Sequence, residues 1–342
     1  MLILYLKKHQ STLLTCLTLV LVFTLHLEGA NYVTIATIGT RPPTMDPSMG
    51  YQQMVDQVKD FWSGELQQVL PDQPDLIVLP EACDRPGGLT TEEQFKYYQI
   101  RKNQLWHFFA EVAKKNRCYL VYGTKWQEDG IWRNSIVFFD RKGEVAGIYH
   151  KNFPTIGEIE SGIMPGKETP LFQCDFGTVG GTICYDLNFT ELCDRYAELQ
   201  PDILVFSSMY HGGLMQRYWA YQCRSFFVGA MGFREIPSEI LNPLGEVVAS
   251  STNYFDFVVQ RVNLDQAMAH LDNNWGKLRQ LKEKYGHQVT ISDPGRLGPV
   301  LITSEHEHIS AIQMAEEFDI ELIDSYFERS REVRNGHLHR RP

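Results

Sequence analysis

The chain has 342 residues, 43% apolar and 22% charged, which is ordinary for a soluble globular enzyme and enough for one large core. Its formal net charge of -10, with no block of Lys and Arg and no aromatic-basic stripe, excludes nucleic acid as the expected partner. No repeat at a solenoid's period is present.

The segment 1–30 stands apart. Lys7 and Lys8 precede a run over 13–27 without a formally charged residue, and Glu28-Gly29-Ala30-Asn31 returns to polar chain. This pattern predicts an export signal or an N-terminal membrane anchor, and so a periplasmic, secreted or membrane-held protein. The apolar stretch, roughly 15 residues, falls short of the ~20 of a comfortable span, and Glu28 stands where cleavage before Asn31 favours a small residue. Cleavage and retention both stay open. Cys16 follows Leu13-Leu14-Thr15, but most of the apolar run lies after it, which argues against lipidation.

Downstream, Leu76-Ile77-Val78-Leu79 lies between Pro74 and Pro80 and reads as a short strand buried on both faces, as in a sheet covered by helices. Pro80 ends it, so Glu81 emerges at the strand end, where a partly desolvated carboxylate suits proton transfer. A solvated loop glutamate capping a helix is the plainer alternative. The spacing then predicts a helix over 91–116, capped by Thr90 or Thr91 with Glu92 or Glu93 in its first turn. Strands are expected over 120–125 and 135–139, a turn at Asp140-Arg141-Lys142-Gly143, and a strand over 144–149. Lys151 falls just past that last strand; in isolation it would read as a surface charge.

In Val179-Gly180-Gly181-Thr182-Ile183-Cys184-Tyr185-Asp186 an apolar, glycine-containing run ends at a thiol followed by an aromatic residue and a carboxylate. This is the pattern of a strand delivering a nucleophile to a sheet edge, and such a thiol needs a base and a cation nearby. Cys193 is expected on the next helix, a strand over 202–208, a helix over 219–227 carrying Cys223, a strand over 228–233 and a turn at Asn242-Pro243-Leu244-Gly245. Cys118 and Cys174 read as packed strand residues. Seven cysteines without a CxxC pair make neither a disulfide framework nor a zinc cage. In an oxidising compartment the nucleophilic thiol would be protected by burial.

The end of the chain departs from a minimal enzyme of this size. Helix-like 271–285 is followed by 290–303, which contains Asp293-Pro294-Gly295 and a strand-like 299–302, and by a helix over 311–333 with a packed face of Ile312, Ala315, Phe318, Ile320, Leu322, Ile323 and Phe327. His306 and His308, and then His337 and His339, are not read as metal ligands, because the second pair lies in a basic tail without an acidic cluster. The expected organisation is 1–30 as signal or anchor, 31–265 as catalytic domain, and 266–342 as an extension packing on the core or at an oligomer interface.

Glu81 in Leu79-Pro80-Glu81, Lys151 in His150-Lys151 and Cys184 in Cys184-Tyr185-Asp186 follow one another, each at the end of a strand-like run. In this the sequence resembles the nitrilase, or carbon-nitrogen hydrolase, superfamily, over about 33–265. A second glutamate of that family is matched by Glu158 in Lys151-Asn152-Phe153-Pro154-Thr155-Ile156-Gly157-Glu158; Glu160 departs from the spacing. The resemblance implies an α/β fold, an αββα sandwich of four layers, homo-oligomers, and no metal or organic cofactor. It further implies that Glu81 takes the thiol proton and Cys184 attacks a carbonyl or nitrile carbon. Lys151, with a backbone N–H such as that of Tyr185, would hold the oxyanion, and Glu158 would support substrate, Lys151 and base.

Substrate choice is expected in the loops around Tyr185, Met209-Tyr210-His211-Gly212-Gly213 and Asp84-Arg85-Pro86-Gly87-Gly88. Tyr210 and His211 either line the pocket or cap a surface loop. The sequon Asn188-Phe189-Thr190 is read as chance, since a glycan there would obstruct Cys184. The resemblance implies a small amide, N-carbamoyl amine or nitrile as substrate: Cys184-Tyr185-Asp186 is similar to amidases and carbamoylases, whereas Pro154-Thr155-Ile156-Gly157-Glu158 is similar to nitrilases. Transfer of the acyl group to an amine and a non-catalytic binding module are the alternatives. The first resembles lipoprotein N-acyltransferases with several membrane helices where this chain offers at most one; the intact Glu81, Lys151, Glu158 and Cys184 argue against the second.

Overall fold

The computed structural model describes residues 29–338. The segment expected as signal or anchor lies outside these apart from Gly29 and Ala30, as do Cys16 and His339. Among the described residues no helix is long and apolar enough to cross a membrane.

In chain order the strands are β1 (Tyr32–Ile38), β2 (Leu76–Val78), β3 (Tyr119–Glu128), β4 (Ile131–Phe139), β5 (Val145–His150), β6 (Phe172–Cys174), β7 (Gly177–Ile183), β8 (Ile203–Ser208), β9 (Phe226–Met231), β10 (Glu239–Leu241), β11 (Val247–Ser250) and β12 (Phe257–Asn263). They build two six-stranded sheets, ordered β12-β1-β2-β3-β4-β5 and β11-β10-β9-β8-β7-β6. Each sheet has three parallel strands at its centre, β1-β2-β3 in one and β7-β8-β9 in the other, and antiparallel strands outside them. The chain thus repeats one pairing scheme, although its sequence carries no period that shows it.

Alternation along the strands sorts the core into layers. Val33, Ile35, Val121, Ile136 and Tyr149 of the first sheet meet Val179, Ile183, Val205 and Val228 of the second. The outer face of the first sheet, with Ala36, Ile77, Leu120 and Tyr122, takes the helices α1 (Tyr51–Val69), α2 (Thr91–Arg101) and α3 (Gln104–Asn116) through Val58, Trp62, Tyr97 and Phe109. After the short α4 (Ile156–Glu160), helices α5 (Thr190–Leu199) and α6 (Leu214–Cys223) cover the second sheet through Leu192, Tyr196, Trp219 and Ala220. The fold is a four-layer αββα sandwich.

Some elements differ from expectation. The helix over 91–116 is two helices, broken where Lys102 takes φ 44°. Neither Gly nor Pro marks the break; it falls beside Arg101, which is buried against Asp84. The helix over 219–227 lies earlier, as α6, and ends at Arg224 in the left-handed region, so that Phe226 and Phe227 begin β9. A short apolar run does not by itself distinguish a helix from a doubly buried strand. The expected 311–333 helix likewise divides into α8 (Ala311–Glu317) and α9 (Ile323–Leu338), after α7 (Trp275–Tyr285).

Beyond Asp265 a third antiparallel sheet, β13 (Gln266–His270), β15 (Pro299–Ser304) and β14 (Val289–Ser292), carries its own core with Leu278, Leu281, Met314 and Ala315. Met268, Leu301 and Ile323 from this unit pack with Leu244 and Tyr221 of the sandwich.

Candidate active site

The site lies where the layer between the sheets ends. β2 runs into Glu81, β5 into Lys151 and β7 into Cys184. Ile136 and Tyr149 stand opposite one another in the β4–β5 register and both belong to the inter-sheet layer, so Asn134 and Lys151, two residues further on, emerge on the same face.

Lys151 is 1% exposed, and its Nζ donates to Glu81 Oε1 at 2.8 Å and to Glu158 Oε2 at 2.9 Å. Burial alone would depress its ammonium; Glu81 and then Glu158 outweigh that and hold it raised, so it stays charged. Burial raises the Glu158 carboxyl, but Lys151 and the Thr155 N–H outweigh it and leave it lowered. Glu158 also closes a capping box on α4: its Oε2 accepts from Thr155 N at 2.9 Å while the Thr155 hydroxyl accepts from Glu158 N at 3.3 Å. The helix cap therefore fixes the carboxylate that grips the lysine. Glu160 is exposed.

Asn134 joins the two carboxylates, and sequence reasoning missed it. Its Nδ2 donates to Glu81 Oε1 and to Glu158 Oε1, both at 2.7 Å. The available signal was a buried-strand pattern opening with a lone amide. All of these bonds to Glu81 fall on Oε1, which leaves Oε2 for a proton.

Cys184 opens a 3₁₀ turn, Cys184–Asn188, with φ 48°, a left-handed conformation that thrusts the thiol from the strand end. Burial first and the Glu81 carboxylate second push the thiol up to about 12; Lys151, the Met209 N–H and the Ser208 hydroxyl oppose them. At neutral pH it is therefore a thiol and needs a base. The Tyr185 N–H lies in the first turn of this segment, where it has no acceptor within the turn.

Asp186, also not singled out beforehand as a positioning group, clamps this turn to the lysine segment. Its Oδ2 accepts from Ile183 N at 2.9 Å and the Tyr149 hydroxyl at 2.7 Å, and its Oδ1 from Phe153 N at 2.7 Å. Burial nevertheless raises its carboxyl to about 6.

The segment carrying Glu81 is held from behind. Asp84 accepts from Arg101, Tyr122 and, at 2.7 Å, Thr124, all buried. Trp62 Nε1 donates to Cys83 O at 2.7 Å. β3 presses so close that a Cβ on Gly123 would stand 2.1 Å from Pro80 O.

Of the residues expected to contact substrate, Tyr185 is 41% exposed with its ring against Phe189. Tyr210 accepts from Asn188 Nδ2 at 3.0 Å, and its hydroxyl is raised to about 12 by burial and then by neighbouring Cys184. His211 is engaged elsewhere: its Nδ1 accepts from Gly213 N at 3.1 Å and its Nε2 stands 3.2 Å from Glu239, out of line for a hydrogen bond.

A family model described as Carbon-nitrogen hydrolase matches residues 34–251. Among curated proteins, Omega-amidase NIT2 of Danio rerio is 27% identical over 214 residues, 55% of this chain and 76% of that protein. Omega-amidase NIT2 of Homo sapiens is 24% identical over 233 residues, 61% and 80% respectively. Among solved structures, Saccharomyces cerevisiae Nit3, a member of the nitrilase superfamily, aligns with TM-score 0.56 and 16% identity over 78% of this chain and 97% of its own. A mutant amidase from Nesterenkonia sp. AN1, showing covalent addition of the acetamide moiety of fluoroacetamide at the active site cysteine, aligns with TM-score 0.56 and 14% identity over 74% and 97%.

Proposed function

Since the chain belongs to the carbon-nitrogen hydrolase family and is an enzyme acting on carbon-nitrogen bonds, we propose that it hydrolyses a small-molecule amide through a thioester on Cys184. Glu81 Oε2 takes the Cys184 proton as sulfur bonds to the amide carbon. The oxygen's developing charge is met by the Lys151 ammonium, whose third N–H remains after two go to Glu81 and Glu158, and by the Tyr185 N–H. Glu81 returns the proton to nitrogen, the carbon-nitrogen bond breaks and ammonia leaves. Water then attacks the thioester, giving a proton to Glu81, which passes it to the departing Cys184 sulfur, so that the acid leaves and the thiol and the Glu81 carboxylate are restored.

The observation that carries this reading is the buried Lys151 ammonium fixed between the Glu81 and Glu158 carboxylates, at the same edge of the sheets where β7 delivers Cys184. Amide is favoured over nitrile and N-carbamoyl amine by the curated relatives named as amidases. Ammonia release over a panel of amides, carbamoyl compounds and nitriles tests it: amides should be turned over and Cys184→Ala should abolish turnover. Undiminished release by that variant would remove the mechanism.

Export or anchoring through residues 1–30 is a second, independent proposal, supported by the uncharged run after Lys7 and Lys8. N-terminal sequencing should find a mature start near Asn31 if the segment is a cleaved signal. Met1 on protein extracted from a membrane fraction would mark an anchor, and Met1 on freely soluble protein would refute both.

A further inference from the structure

We propose that Cys193 and Cys223 form a disulfide that staples α5 to α6, closed by thiol-disulfide exchange as the chain folds in an oxidising compartment. It stands independently of the amidase reading above.

Cys193 lies in the first turn of α5 and Cys223 ends α6, 30 residues further along the chain and beyond β8. The fold nevertheless brings their sulfurs to 4.0 Å, and the Cys223 thiol donates to Cys193 O at 3.7 Å. Both side chains are fully buried in the layer between the second sheet and its helices, among Leu192, Tyr196, Trp219 and Ala220. A disulfide holds its sulfurs at about 2.05 Å, so each has to move only about 1 Å along the line that joins them. The nucleophile is kept apart from this pair. Cys83 and Cys118 belong to the core outside the first sheet, and Cys174 and Cys184 to the layer between the sheets. Among the described residues only Cys193 and Cys223 share the layer under α5 and α6, so closing them leaves the Cys184 thiol free.

Contact with Cys193 first and burial second hold the folded Cys223 thiol raised, so the attacking thiolate is scarce once the helices have packed. Exchange therefore belongs to folding, while both sulfurs are still in water. An export signal over 1–30, as proposed above, would deliver the chain to a compartment that supplies the oxidant, a small-molecule or protein disulfide. One protein thiolate attacks that disulfide, forming a mixed disulfide and releasing one thiol. The second protein thiolate attacks the protein sulfur of the mixed disulfide, closing the Cys193–Cys223 bond and releasing the other thiol. Two protein thiols are oxidised, one disulfide is reduced, and the two protons end on the released thiols. The helices so joined back the nucleophile turn: Trp219 Nε1 of α6 donates to Leu187 O at 3.1 Å, and Leu192 of α5 packs in the same layer. A bond between them restricts the unfolded chain and so stabilises this half of the sandwich.

The full chain, reduced and unfolded in urea, is to be refolded with reduced and oxidised glutathione, alkylated with iodoacetamide in urea and mapped by mass spectrometry. A linked pair of peptides containing Cys193 and Cys223 is expected, with Cys184 alkylated. Reductant should then lower the melting temperature by about 5 °C, whereas the double variant Cys193→Ala, Cys223→Ala should melt alike with and without reductant. If refolding yields no soluble chain, native chain held with oxidised glutathione in sub-denaturing urea is mapped in the same way. In either preparation, alkylation of both cysteines, or linkage of either one to a different cysteine, overturns the proposal.

Discussion

At the scale of single residues, the chemistry turns on where protons sit at rest. Lys151 is held charged by Glu81 and Glu158, whereas Cys184 is held protonated by burial and by the same Glu81. In the proposed mechanism, proton transfer from sulfur to Glu81 would therefore be part of the reaction and not a preliminary ionisation. The thiol's raised value has a direct consequence: with the thiolate a minor species, its share grows about tenfold per pH unit up to about 12. The rate of Cys184 alkylation by iodoacetamide should accordingly keep rising between pH 7 and 10; a plateau in that range would show a thiolate already formed. Among the described residues labelling should be selective for Cys184, because Cys83, Cys118, Cys174, Cys193 and Cys223 are all buried. Glu81, Lys151 and Cys184 could be singled out because each follows a strand-like run, and Glu158 because its spacing from Lys151 matched the same family. Asn134 and Asp186 were not, since an amide or a carboxylate near a strand end has many roles and only its partners across the fold select one.

At the scale of elements, the site is made of strand ends and the turns that stop them. Pro80 ends β2, the left-handed Cys184 ends β7, and the Thr155 capping box starts α4 at the residue that must hold Glu158. β3 backs the Glu81 turn so tightly that only glycine fits at position 123. Gly123→Ala should cost about 1–3 kcal/mol by overpacking and displace Glu81. The expected outcome is a lower melting temperature with a still larger loss of kcat; a variant with unchanged turnover would show that this contact does not position the base. Helix boundaries were the least legible feature. The break at Lys102 carries no Gly or Pro, and Phe226 and Phe227 fit the end of a helix as well as the start of β9. The decision came from sheet pairing, which sets β9 parallel to β8 between Ile203 and Ser208.

At the scale of the molecule, the third sheet does more than extend the chain. The N–H of Ala30 donates to His306 O at 2.7 Å and Asn263 Nδ2 to Ser304 O at 2.6 Å, so this unit ties down both β1 and β12 of the first sheet. It also covers Leu244 and Tyr221. A chain ending at residue 265 should melt at lower temperature and aggregate through that apolar surface, as followed by circular dichroism and light scattering. An unchanged melt would show that the sandwich needs no cover there. The sequence by itself determined the α/β class, the strand ends that bear Glu81, Lys151 and Cys184, and the second glutamate, because these depend on local periodicity and short spacings. Tertiary structure alone decided that Asn134 bridges the two carboxylates, that Asp186 locks the nucleophile turn to the lysine segment, and that two sheets repeat one pairing scheme. Those features join residues far apart in the chain, and they arise only when two sheets close on a shared apolar layer and leave the charges at its edge to satisfy one another.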